Sequence, residues 1–101
     1  MKKGLMIAAA IFFLPLMLLA QDVIPTLPAI KRKAVDSTNL AAVGYDARAK
    51  VLEIEFRSGP VYRYFEVPRA VYRGLMRAQS KGTYFYEKIR YSYSVMRLKR
   101  A

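Results

Sequence analysis

The chain has 101 residues, room for one small domain. It contains no Cys and no His, which excludes disulfide frameworks, zinc centres built on thiolate or imidazole, cysteine catalysis and any Ser-His-Asp triad. A formal charge of +11, from 18 Lys and Arg against 7 Asp and Glu, directs attention to anionic partners such as nucleic acid, lipopolysaccharide or acidic protein; the plain alternative is a basic soluble surface with no dedicated ligand.

Lys2 and Lys3 precede an uncharged apolar run, Gly4 to Ala20. A basic start, an apolar core and a small final residue are the parts of a secretory signal, here residues 1–20, with cleavage after Ala20 exposing Gln21. Leu18 is larger than the small residue usual three positions before a cleavage site, and Pro15 interrupts a continuous helix. The alternative is an uncleaved signal anchor that meets the membrane through residues 4–20 alone, although the run falls just short of the ~18 residues of a span. Both readings place the rest of the chain outside the cytoplasm: periplasmic or secreted if cleaved, held at the inner membrane if not. Lys31-Arg32-Lys33 argues for the reverse orientation, but Lys2 and Lys3 lie nearer the run. No Cys follows it, so lipoprotein anchoring is excluded. Cleavage would take Lys2 and Lys3 and no acid from +11, leaving +9 on the exported part.

Residues 21–34 carry Pro25, Pro28 and the basic triplet Lys31-Arg32-Lys33, and read as a linker with a solvated charge run. A domain follows over residues 35–98, with a basic tail at 99–101. Leu40–Tyr45 is a short strand, Asp46–Lys50 a turn, and Val51–Phe56 a strand with clean alternation. Leu52, Ile54 and Phe56 share one face, Glu53 and Glu55 the other. Arg57-Ser58-Gly59-Pro60 is turn chemistry, and Val61–Val67 is a third strand. A three-residue loop, Ser58–Pro60, sets Phe56 opposite Tyr62, Ile54 opposite Tyr64 and Glu55 opposite Arg63. A two-residue loop would place Arg63 on the apolar face, where an unpaired guanidinium is costly. The same logic pairs Tyr45 with Leu52 and Val43 with Ile54. Pro68 opens a helix in which Val71, Tyr72, Leu75 and Met76 cover the sheet. Ser80 caps a second short helix whose Phe85 and Ile89 share a face. Tyr91–Leu98 alternates loosely, as a last edge strand or an extended tail. The expected fold is α+β: a three-stranded antiparallel meander packed against two short helices, preceded by the apolar N-terminal helix.

Asp36-Ser37-x-Asn39-Leu40, Gly44-Tyr45-Asp46, Tyr62-x-Tyr64, Val67-Pro68 and Ser80-Lys81-Gly82-x-Tyr84-Phe85, in that order, resemble the KTSC domain. This small domain occurs at the C-terminus of some lysyl-tRNA synthetases and alone in small bacterial proteins. The resemblance spans about Val35 to Leu98 and implies little chemistry beyond a proposed nucleic-acid-binding role. The chain departs from the pattern at Tyr86, where Asn is often found, and at Ser94, where a Pro is expected.

Four constellations are candidates for function. Tyr62 and Tyr64 could stack bases as aromatics on RNA-binding sheets do; their alternation with Leu52, Ile54 and Phe56 assigns them to the core instead. Glu53 and Glu55 share a strand face, as an acid-base pair would, but read as a solvated face with Glu55 paired to Arg63. Arg69, Arg73 and Arg77 recur every fourth residue and form a stripe, extended by Lys81, that either follows phosphates or is simply solvated. Ser80-Lys81-Gly82-Thr83 combines free N–H groups, a Lys and two hydroxyls at a helix start, suited to an anion or to a capped turn. No nucleophile, base and orienting group can be assembled, and no cofactor or metal is implied. The sequence therefore describes an exported, non-catalytic binder of an anionic polymer or surface; the alternative is a protein-interaction module of the cell envelope using a sheet edge or the aromatic tail.

Overall fold

Alternating apolar residues and turn-forming side chains build one antiparallel sheet, seen in a computed structural model that describes residues 27–99. The signal expected at residues 1–20 and the last two residues of the basic tail lie outside that range. Among the described residues no helix is long and apolar enough to cross a membrane. The strands are β1 (Lys33–Ala34), β2 (Leu40–Asp46), β3 (Val51–Phe56), β4 (Val61–Tyr64) and β5 (Val95–Lys99), ordered β1-β2-β3-β4-β5 with every neighbour antiparallel. Between β4 and β5 come α1 (Arg69–Arg77) and α2 (Lys81–Tyr84), which runs straight into a π-helical turn, Phe85–Ile89.

The α+β class therefore holds, with five strands in place of the expected three. The two additions come from segments with weak patterning. The meander leaves unpaired N–H and C=O groups along the outer edges of β2 and β4, and such edges recruit any extended chain nearby. Lys33 and Ala34 pair with Val43 and Ala42, and Val95–Lys99 runs along β4.

The turns explain the register. Asp46 Oδ1 accepts the N–H groups of Arg48 at 3.0 Å and Ala49 at 3.2 Å, and Lys50 takes a left-handed conformation with φ 58°. Val43 accordingly pairs with Ile54 and Tyr45 with Leu52, as expected. The β3–β4 hairpin differs from expectation by two residues: Ile54 lies opposite Tyr62, Leu52 opposite Tyr64, and Arg63 opposite Glu53 rather than Glu55. A three-residue hairpin loop ends in a left-handed residue. Pro60 cannot adopt positive φ, so the loop is Arg57-Ser58-Gly59, with Gly59 at φ 117°. It is closed by Gly59 N–H to Phe56 O at 2.9 Å and Phe56 N–H to Pro60 O at 3.0 Å. A shift of two preserves the alternation, so each side chain keeps its expected face.

One face of the sheet is the core. Leu40, Val43, Leu52, Ile54 and Tyr64 meet Val67, Leu75 of α1, and Phe85 and Ile89 of the π turn. Pro68 caps α1 with φ −63° and needs no N–H there. Val71, Tyr72 and Met76 pack half-buried against the core, and Tyr72 stacks on Tyr45 at 4.7 Å. Gly74 admits the Tyr84 hydroxyl where a Cβ would lie 2.1 Å from it, which draws α2 against α1.

The opposite face corrects two expectations. Residues from Pro28 to Ala34 are no free linker: Pro28, Lys31 and Arg32 lie against this face, and Lys33 and Ala34 join the sheet as β1. Gly44 makes that approach feasible, because a Cβ there would stand 2.4 Å from the Lys31 carbonyl oxygen. Glu53 is consequently buried, 2% exposed, where a solvated face was expected. Its Oε1 accepts Arg63 Nε–H at 2.7 Å, Arg32 bonds its other oxygen, and Arg63 also donates to the Pro28 carbonyl. Arg32, part of the supposedly solvated triplet, further pairs with Glu55 at 3.2 Å. A buried carboxylate survives only with this degree of pairing.

Candidate functional site

The β3–β4 turn and the helical layer diverge at one end of the sheet and leave an open groove of about 630 Å³. Its floor is aromatic. Tyr64, 4% exposed, packs edge-on against Phe85 at 5.6 Å, and Phe85 packs edge-on against Phe56 at 5.2 Å. Tyr62 is half-buried, set edge-on to Phe56 at 5.7 Å, and Tyr86 stands at the rim, 60% exposed. Burial pushes the Tyr64 hydroxyl up to about 12; the neighbouring Tyr62 adds to the rise and Arg90 opposes it. Tyr64 is thus a neutral phenol at physiological pH.

Two arginines also line the groove, and among the described residues neither meets a carboxylate. Arg57 donates Nε–H to the Ser37 carbonyl at 2.6 Å and Nη2–H to the Val35 carbonyl at 3.4 Å. Arg90 Cζ lies 5.2 Å over the Tyr86 ring and 4.8 Å over the Tyr91 ring, a cation–π arrangement that leaves the guanidinium edge available for an oxyanion. Among the described residues every ion pair involves Arg32 or Arg63, so neither Arg57 nor Arg90 has a carboxylate partner there. The π turn contributes to this placement. Arg90 N–H bonds the Phe85 carbonyl at 2.9 Å, Phe85 and Ile89 enter the core, and Tyr86 and Arg90 stay outside at the groove.

The sequence-derived candidates fall in three places. Tyr62 and Tyr64 form the groove floor while completing the core. Arg69, Arg73 and Arg77 are exposed along α1, away from the groove residues. Ser80–Thr83 is internally satisfied: Ser80 Oγ accepts Thr83 N–H at 3.2 Å and bonds Thr83 Oγ1 at 2.8 Å, and Lys81 Nζ donates to the Ala78 carbonyl at 3.1 Å. Ser80 thus caps α2, as the sequence led one to expect. Gly82 alone enters the groove wall, where a Cβ would come 3.0 Å from Asn39 Nδ2. Sequence reasoning missed Arg57 and Arg90. Tyr86 was visible as a departure from the expected pattern, and Asn39 as part of the first motif.

Comparisons with known proteins agree with this architecture. The KTSC domain model matches residues 36–93. An uncharacterized protein of Stutzerimonas stutzeri is 45% identical over 56 residues, which cover 55% of this chain and 79% of that protein. A lysine–tRNA ligase of Trichormus variabilis is 46% identical over 46 residues, covering 46% of this chain but only 8% of the ligase. The crystal structure of a KTSC domain protein from Yersinia pestis superposes with a TM-score of 0.68 at 32% identity, over 70% of this chain and all of that one.

Proposed function

The chain belongs to the KTSC domain family, and from that premise we propose that it is an exported, non-catalytic module that binds an anionic partner. The observation that carries this reading is the pair Arg57 and Arg90, which meet no carboxylate among the described residues and both line one aromatic groove. Guanidinium groups meet a phosphate or carboxylate with paired, charge-assisted hydrogen bonds. The stripe Arg69, Arg73 and Arg77 adds long-range attraction from α1. Lysine–tRNA ligases contain a matching segment, which favours nucleic acid among the anionic partners; lipopolysaccharide and acidic protein are the others. Export rests on Lys2-Lys3 and the apolar run to Ala20. With neither His nor Cys in the sequence, the groove offers binding groups rather than a nucleophile and its base.

Retention on heparin and affinity for single-stranded oligonucleotides across a salt series test the binding; both should fall steeply as salt rises. A periplasm-dependent reporter fused after Ala101 tests export and should be active. A second reading, protein capture along β5, has in its favour Val95 and Leu98, exposed on a strand that is unpaired on its outer side among the described residues. Salt-insensitive capture of a protein partner would replace the first reading with this one.

A further inference from the structure

We propose that the groove seats a single unpaired nucleobase, with the adjoining phosphates on Arg57 and Arg90, so that the module selects single-stranded nucleic acid over duplexes and over polyanions that lack bases. The inference rests on the anion-binding reading and adds the chemistry of the ligand. A site for charge alone needs cations on a polar surface. This groove instead is lined by cations and rings together. Tyr64 and Phe85 are buried in the floor, whereas Tyr62 is half-buried and Tyr86 is largely exposed beside them. Accessible aromatic surface in a groove also lined by two guanidinium groups matches a flat heterocycle joined to phosphate.

Asn39 supplies a further element. Its side chain packs against Gly82 in the groove wall, with the amide group exposed at the groove. An amide offers a donor and an acceptor side by side, the pattern that matches a base edge. Bases inside a duplex are paired and stacked, so they present neither face nor pairing edge to such a groove. Acidic saccharides and peptides could satisfy Arg57 and Arg90 but would leave the rings and Asn39 unused.

The test is fluorescence anisotropy of the whole protein with four probes: oligothymidylate, an abasic oligomer with the same number of phosphates, a hairpin duplex and heparin. Stacking of one base should favour oligothymidylate over the abasic oligomer by about five- to a hundredfold. Tyr86→Ala, at an exposed position, should abolish that ratio and, because the Tyr86 ring also supports Arg90, lower abasic affinity as well; Tyr86→Phe should restore both. Equal affinity of wild-type protein for the base-bearing and abasic probes would overturn the base seat and leave the anion-binding reading standing. Tighter binding of the duplex or of heparin than of oligothymidylate would also overturn it. Absence of binding to all four would overturn both readings. The wild-type comparison decides the matter even if a variant fails to fold.

Discussion

Replacing Glu53 by Gln keeps the shape of the side chain and one acceptor oxygen, so it isolates the effect of the buried charge. Arg63 is 6% exposed and bonds Glu53 at 2.7 Å, with a further bond to the Pro28 carbonyl. Without the carboxylate its guanidinium stays buried and uncompensated. Removing one member of a buried pair costs about 3–5 kcal/mol, which at ~4 °C or more per kcal/mol in a domain of this size lowers Tm by at least ~12 °C. Arg32→Ala removes the more exposed partner, and its cost should stay near ~1 kcal/mol. Glu53→Leu combined with Arg63→Met removes both charges and should recover most of the loss. Urea and thermal unfolding followed by circular dichroism measure all four proteins. A Glu53→Gln variant within ~1 kcal/mol of wild type would refute the claim that this face is a covered, charge-paired interior.

Gly44→Ala should push the Lys31 backbone off the sheet, since the new Cβ would sit 2.4 Å from its carbonyl oxygen; a cost of about 1–3 kcal/mol and faster amide exchange at Lys33 and Ala34 are expected. Tyr64→Ala should leave a core cavity costing about 3–5 kcal/mol, and Tyr62→Ala, half-buried, should cost less; equal and small losses would place neither ring in the core. Tyr64 is a phenol whose folded value, about 12, lies above the ordinary 10. The unfolded chain therefore loses its proton first, and the contribution of Tyr64 to stability, complete below pH 10, should fade as pH climbs from about 10 to 12. Phenolate absorbance in an alkaline titration should show a late-ionising tyrosine that Tyr64→Phe eliminates.

Much of the fold is legible because alternation and turn chemistry are local. The pairing of Val43 with Ile54 follows from the short Asp46–Lys50 turn, and Leu75 and Phe85 are recognisable by helical spacing. The hairpin register required attention to Pro60, whose fixed φ forces the left-handed position onto Gly59. The second face was misread because charged residues in alternation ordinarily mark solvent. Only a preceding segment laid across Glu53 reverses that meaning, and Gly44 was the faint sign of such a close approach. The groove was least legible. Arg57 belongs to a hairpin turn and Arg90 to the end of a helix, so no spacing joins them. The regular stripe Arg69, Arg73 and Arg77 is conspicuous in sequence, yet it lies on α1 outside the groove.

The most direct test compares two folded variants for single-strand affinity across a salt series: R57Q/R90Q in the groove and R69Q/R73Q/R77Q on α1. The groove variant should lose tenfold or more in affinity, with a salt slope shallower by about 1.4 if each arginine meets one phosphate. The α1 variant should weaken binding of every polyanion alike and keep the preference for unpaired bases. Unchanged affinity and slope in the groove variant, with the loss confined to the α1 variant, would contradict the account and move the site to the stripe.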